Sequence, residues 1–373
     1  MTDAHSPGPG NGRVPIFRPS LPPLEEYVAH LREIWESRML SNFAAKAQAL
    51  EHLTSSYLGT PTMTVVSGDV GLIIALKALG LERESPCFLS DFTFNSTINA
   101  ALWNGLRPVL VDCDRRTLNM DPDHLADALS RNPGPGVVLA THVFGNPCDT
   151  DALGRLAADH GSYVVYDAAH AYGSLRERAP VGSLGDASVF SLSPTKLVTS
   201  GEGGLIATPH PWLAERVMYL RAYGFQHDYE SHYAGINGKM SELHAALGLV
   251  CLPLVEEAVL GRAAILEQYR STLGEQVSWQ HVRAADRSTH KDISIGLGER
   301  RPQIEDALTR DGVQTKRYFM PLHRMRAYAE FAHSDLEASD DAYQSTLCLP
   351  SYGDLDPATI GRVCAVIERG LRG

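Results

Sequence analysis

Ala187-Ser-Val-Phe-Ser-Leu-Ser-Pro-Thr-Lys-Leu-Val-Thr-Ser-Gly-Glu-Gly-Gly204 sets one lysine, Lys196, in a small, hydroxyl-rich turn. A strand-like run of Ser188, Val189 and Phe190 leads into it, and the flexible Gly201-Glu-Gly-Gly204 follows. Upstream, Tyr166-Asp-Ala-Ala-His170 closes another strand-like run. Taken singly, these residues have ordinary readings. Lys196 is a solvated lysine, Ser191 and Ser193 are turn residues, and Asp167 is a surface group or a helix cap. Taken together, they offer an amine that can bond a carbonyl carbon and a carboxylate that can pair with a pyridinium nitrogen. An enzyme that uses pyridoxal 5'-phosphate (PLP) needs both.

The surrounding sequence supplies a frame for such a site. From about residue 62, short apolar runs alternate with amphipathic ones, as in a βα architecture. Strands are expected at 86–90, 107–112, 136–142, 163–167, 188–191 and 204–207. Helices are expected at 24–37, 42–58, 70–79, 121–130, 150–160 and 212–222. Val137-Val-Leu-Ala140 and Tyr163-Val-Val-Tyr166 are apolar throughout, as strands covered on both faces are. Helices dominate 240–271. From about residue 250, helices at 303–310 and 357–369 mix with short strands, which reads as a smaller α+β domain. The expected division is a tail at 1–13, a large domain at 14–249 and a small one at 250–373.

Ser67-Gly-Asp69 lies between Thr64-Val-Val66 and a helical run. Backbone N–H groups at a helix start suit a phosphate, although Asp69 there could equally be a plain N-cap. Ligands of open α/β sheets bind beyond the carboxyl ends of the strands. Three segments distant in sequence would therefore converge on one site.

Composition narrows the class. The 373 residues, 44% hydrophobic and 21% charged, suffice for a large core. No apolar run is read as a membrane span, and no signal-peptide core is read at the N-terminus. The Gly- and Pro-rich stretch from Met1 to Arg13 reads as a disordered tail. A net charge of −11 argues against nucleic acid as a partner. Cys87, Cys113, Cys148, Cys251, Cys348 and Cys364 are scattered without a CxxC, which reads as reduced thiols in a cytoplasmic protein. The 15 histidines form no HExxH motif, so no metal site is expected.

The chain resembles the DegT/StrS-type sugar aminotransferases, which are fold-type-I PLP enzymes. The matching segments are Ser67-Gly-Asp-Val-Gly-Leu72, Phe92-Thr-Phe-Asn-Ser-Thr97, Asp112-Cys-Asp114, Thr141-His-Val-Phe-Gly145, Asp167-Ala-Ala-His170, Phe190-Ser-Leu-Ser-Pro-Thr-Lys196, Gly201-Glu-Gly-Gly204 and Gly235-Ile-Asn-Gly-Lys-Met-Ser-Glu242. The resemblance runs from about Pro15 to the end. It implies a mostly parallel seven-stranded sheet between helices, plus a smaller C-terminal α+β domain.

It also implies roles. Lys196 would hold PLP covalently and shuttle a proton, and Asp167 would pair with the ring nitrogen. His170, where the family more often has Gln, would lie beside the phenolic oxygen. Phe94 would stack on the ring. Gly68, Asp69 and Ser191 would line the phosphate, with Asp69 standing where the family usually has Thr. Asn237 would reach the cofactor of a neighbouring subunit, which implies a homodimer. Lys239, Arg317, Tyr318 and His323 would approach a nucleotide-sugar.

The implied reaction is a ping-pong transamination from an amino acid, L-glutamate, to a nucleotide-linked ketosugar. A TDP-4-keto sugar is the first expectation and a 3-keto sugar an alternative, in antibiotic or cell-surface aminosugar biosynthesis. A keto-cyclitol aminotransferase and a non-catalytic PLP-binding regulator are the competing readings. A sugar dehydratase of the same family would carry His in place of Lys196.

Overall fold

The computed structural model describes residues 12–226, 229–331 and 335–372. The expected tail lies outside the described residues except for Gly12 and Arg13. Two helices, α1 (Leu24–Ser37) and α2 (Ala45–Leu58), precede the sheet. The alternating part follows as β1 (Thr62–Val65), α3 (Gly68–Leu79), β2 (Pro86–Ser90), α4 (Asn95–Trp103), β3 (Arg107–Val111), α5 (Pro122–Arg131), β4 (Val137–Thr141), α6 (Thr150–Asp159) and β5 (Tyr163–Asp167). A two-stranded hairpin, β6 (Leu175–Arg176) and β7 (Ala179–Pro180), then leads to β8 (Ala187–Ser191), β9 (Gly204–Ala207) and α7 (Pro211–Leu220).

Seven strands form one sheet in the order β1-β9-β8-β5-β4-β2-β3. β9 runs antiparallel to both of its neighbours, and the pairs from β8 to β3 are parallel. Helices cover both faces because the apolar runs serve both. Val137 and Leu139 of β4 face the core built with α3, α4 and α7. Val138 and Ala140 face the core built with α5 and α6. Successive side chains point to opposite faces, so a continuous apolar run is what a doubly covered strand requires.

Register then lines up the strand ends. Gly204 pairs with both Val65 and Ser191. Thr141 pairs with Asp167, and Asp167 with Val189. The last residues of β1, β4, β5 and β8 therefore share one edge of the sheet.

The second part of the chain has its own core. α8 (Glu242–Cys251) and α9 (Val255–Leu273) lead to β10 (Ser278–Trp279), β11 (Ile293–Gly296), α10 (Arg301–Arg310), α11 (Glu337–Ser345), β12 (Thr346–Leu349) and α12 (Pro357–Arg372). The three strands form an antiparallel sheet packed on α9, α10 and α12. Val14 belongs to this core and pairs with Val313. The earliest described residues thus pack with the C-terminal part and not with the helices that follow them.

The run Glu242–Gln276 passes a length-and-composition test for a membrane span, which the sequence reading did not anticipate. Part of its apolar surface is buried inside the protein, while Leu260 is exposed. Ala245, Val250, Val255 and Val259 are buried in the core shared with α2, and a 3₁₀ turn at Leu252–Leu254 interrupts the helix. All six cysteines are free and buried.

Two helix starts are capped from far away in sequence. α2 begins at Ala45, after Asn42 and Phe43 with φ of 68° and 58°, and not at residue 42 as expected. Neither α2 nor α11 has a side-chain cap from its own N-cap residue. The Glu242 carboxylate accepts from the backbone N–H groups of Lys46 and Ala47 at 2.7 and 3.2 Å. The Asp112 carboxylate accepts from Ala338 N–H and Ser339 N–H, both at 2.8 Å, and from the Ser339 hydroxyl.

Asp112 ties the end of β3 to the C-terminal part through donors that burial removes from water. Asp112→Ala should therefore lower stability by about 2–3 kcal/mol, the scale of a lost charge-assisted hydrogen bond. A denaturant midpoint that falls at unchanged m-value checks this.

Candidate active site

A cavity of about 310 Å³ opens at the shared edge of strand ends. Into it come Gly68 and Asp69 from the β1–α3 turn, Phe94 before α4, Asp167 and His170 after β5, Ser191 at the end of β8, and Lys196. Lys316, Tyr318 and Phe319 close it from the C-terminal part. A roomier cavity of about 560 Å³, lined by Arg115, Arg116, Arg270 and Trp279, shares no residue with it and contains no lysine. The smaller cavity is the one equipped for covalent chemistry.

Lys196 sits in a closed loop. Its N–H donates to Ser193 O, Leu192 N–H to Gly203 O, and Ser200 N–H to Leu192 O. Burial pushes its amine down to about 8, helped by the positive charge of Lys291 and opposed by Asp167 and Asp292. A large share is therefore neutral, hence nucleophilic, just above neutral pH.

Asp167 is 4% exposed. Its Oδ2 accepts from Thr97 Oγ1 at 2.8 Å and its Oδ1 from Ala169 N–H at 3.1 Å. Desolvation raises its pKa, while those two donors and the charge of Lys196 pull it down. His170 lies near-parallel to Phe144 and Phe319, with centroids 6.3 and 6.1 Å away. Desolvation, then Lys196 and Lys291, hold the imidazole well below its usual pKa, so it is neutral. Its Nδ1 is buried without a hydrogen-bond partner.

The helix start is bare. Ser67, not Asp69, is the N-cap of α3, and its hydroxyl accepts from Val70 N–H at 3.1 Å. The first N–H groups of a helix have no intrahelical acceptor, so those of Gly68 and Asp69 remain available to an anion. Gly68 has no room for a side chain, because a Cβ there would lie 2.9 Å from Ser191 Cβ. Phe94 is 55% exposed at the cavity wall, an apolar ring face without cover.

Four expected residues stand outside this cavity. Asn237 accepts from Lys239 Nζ at 2.6 Å, and Lys239 lies 4.4 Å over the Tyr223 ring on the exposed surface. Arg317 stacks on Tyr343 at 4.1 Å. His323 is held at both ring nitrogens, with Nδ1 2.7 Å from Asp91 and Nε2 3.2 Å from Asp340. Thr93, Thr97, Thr141, Lys316 and Phe319 are the participants that the sequence reading passed over. The motif at 92–97 drew attention to Phe94, although its Thr97 donates to Asp167 and its Thr93 lies 2.9 Å from Thr97.

The set of groups fits PLP. An amine of lowered pKa can hold the aldehyde and a buried carboxylate the ring nitrogen. An imidazole nitrogen lacks a partner, a bare phenyl face flanks the ring, and a helix start with Ser191 can take the phosphate.

A sequence model of the DegT/DnrJ/EryC1/StrS aminotransferase family matches residues 24–368. The chain belongs to this family. It is a PLP-dependent aminotransferase of fold type I, with the mostly parallel seven-stranded sheet and smaller C-terminal α+β part expected of it. A dTDP-4-amino-4,6-dideoxy-D-glucose transaminase of Shigella dysenteriae is 30% identical over 365 residues, covering 95% of this chain and 98% of its own. A GDP-perosamine synthase of Caulobacter vibrioides is 30% identical over 352 residues, covering 92% and 94%. Among solved structures, DesI in the presence of its TDP-sugar product aligns with a TM-score of 0.91 at 29% identity, covering 98% of this aminotransferase and 94% of DesI.

Two pH effects follow. Trapping of PLP on Lys196 by borohydride should rise with pH through about 8, as the amine loses its proton. Lys291→Met should move that midpoint upward, and mass spectrometry of the reduced adduct reads it. The Asp91 hydrogen bond, opposed by partial burial, raises the pKa of His323 above 6.5. Its contribution to stability is then fully present below pH 6.5 and lost as pH rises through the folded pKa. His323→Gln should remove that part of the pH dependence of thermal unfolding.

Proposed function

We propose that this aminotransferase moves an amino group from L-glutamate to a nucleotide-linked ketosugar, with a TDP-4-keto sugar as the first candidate. The observation that carries the reading is the meeting of Lys196, Asp167 and His170 in one cavity with a bare helix start. The names of the relatives at 30% identity support the choice of substrate class.

When bound, PLP supplies an electron sink for the charge left at the reacting carbon. Asp167 holds the proton on the ring nitrogen. His170, neutral, approaches the phenolic oxygen. Phe94 would lie against the ring, while Gly68 N–H, Asp69 N–H and Ser191 would hold the phosphate. Asp69 thus contributes its backbone and keeps its carboxylate off the anion. Lys196 Nζ, once free, would take the donor's Cα proton and carry it at short range. In the second half-reaction it returns a proton to the sugar carbon.

The enzyme works as a homodimer in which Asn237 serves the partner's cavity. Its position outside its own cavity and the exposed Tyr223, Tyr229 and Ile236 nearby support this. Tyr318, in the cavity, and Lys239, Arg317 and His323, outside it, are proposed toward the nucleotide-sugar. A large domain at 14–249 and a small one at 250–373, a cytoplasmic location, and a pathway for antibiotic or surface sugars complete the reading.

The visible spectrum of the PLP-loaded protein tests it. Glutamate should bleach the lysine-bound band and release 2-oxoglutarate, and a nucleotide ketosugar should restore it. Lys196→Ala should fold with little change in Tm and lose turnover. A band that ignores glutamate sinks the donor, and turnover by the Lys196→Ala protein sinks the site.

A further inference from the structure

Three buried threonines from three elements meet beside Asp167. Thr93 lies in the turn after β2, Thr97 in the first turn of α4, and Thr141 ends β4. Thr93 and Thr97 are 0% exposed and Thr141 6%. Thr97 Oγ1 is 2.8 Å from Asp167 Oδ2, Thr93 Oγ1 is 2.9 Å from Thr97 Oγ1, and Thr141 Oγ1 is 2.7 Å from Thr93 Oγ1.

The carboxylate gives this chain a direction. An ionised carboxylate only accepts, and each hydroxyl carries one proton. Thr97 must donate to Asp167, so Thr93 must donate to Thr97 and Thr141 to Thr93. Were Asp167 protonated on Oδ2, Thr97 would no longer have to donate to it, and the chain would lose its fixed direction.

We propose that Thr141, Thr93 and Thr97 form a directed hydroxyl relay that fixes Asp167 as a carboxylate toward the ring nitrogen, making them positioning residues of amino transfer. The proposal rests on the role given to Asp167 under Proposed function.

The relay answers a specific shortage. Asp167 is out of water and has two hydrogen-bond donors, Thr97 Oγ1 and Ala169 N–H. The charged and titratable groups that share its cavity are Lys196 and Lys316 on one side of the balance, Asp69 and Glu202 on the other, and neutral His170 and Tyr318, whose phenol burial pushes up. Lys196 favours the carboxylate and Asp69 opposes it. Lys196 changes its own bonding during turnover, so its help is intermittent. The threonines are fixed by backbone: Thr93 N–H donates to Asp91 O and Thr97 N–H to Phe94 O. Hydroxyls in series polarise one another, so Thr97 donates more strongly than an isolated hydroxyl would.

The test uses holoenzyme loaded with PLP labelled with ¹⁵N in the ring, read by NMR at fixed pH. In Thr97→Val the ring-nitrogen signal should move from the pyridinium toward the free-pyridine position, because a carboxylate short of donors takes the shared proton. Thr97→Ser should restore it, and Thr93→Val should move it less in the same direction. The rate of the glutamate half-reaction should fall about 10–100-fold in Thr97→Val, the factor for one charge-assisted hydrogen bond, with KM nearly unchanged.

Asp167→Asn is the control. If the signal moves in Asp167→Asn but in neither threonine variant, the relay is overturned and the role of Asp167 stands. If it moves in none, the role of Asp167 itself fails. Should Thr97→Val not fold, Thr93→Val decides: a displaced signal supports the relay, and a wild-type signal overturns it.

Discussion

The register of the large sheet is the constraint on which the rest depends. Gly204 sits between Val65 and Ser191, and Asp167 between Thr141 and Val189. A strand slipped by one residue would exchange its two faces. The cost would fall on both cores at once, since Val137 and Leu139 serve one and Val138 and Ala140 the other. Packing on two sides thus enforces the alignment of strand ends. The chemistry inherits a fixed platform that no residue of the cavity has to build.

On that platform, burial does opposite things to two neighbouring groups. Desolvation disfavours charge on either. It makes the Lys196 amine easier to deprotonate and Asp167 harder to ionise. The first effect serves a nucleophile and needs no compensation. The second works against a charge partner for a pyridinium and is offset only in part by Thr97 and Ala169. The surplus of hydroxyls on the Asp167 side follows from this asymmetry.

The sequence made the strands and the main chemical groups legible because both are local signals. Apolar runs mark doubly covered strands, and Lys196 and Asp167 lie in short stretches at strand ends. Tertiary context hid the rest. α4 begins Asn-Ser-Thr, residues that favour caps and turns in isolation, yet it forms because Ile98, Ala100 and Ala101 enter the core. α2 and α11 have caps more than 190 residues away, in Glu242 and Asp112, which no local window contains. Thr97 received no role from the sequence because its acceptor, Asp167, lies 70 positions on. Lys316 and Phe319 enter the cavity only once the second core docks.

Val14 joins the C-terminal core and exchanges backbone bonds with Gly312 and Gln314, while Ile16 O accepts from Ser351 N–H. The chain is therefore clasped: its first described strand-like residues lie inside a unit whose other members come some 300 positions later. Such closure carries a large loop entropy and belongs among the slow, non-local steps of folding. A growing chain must hold this segment unsatisfied until nearly the last helix has emerged. The C-terminal unit, cut free near residue 250, would lack one of its own core residues. The two halves are distinct in packing yet do not form a severable pair.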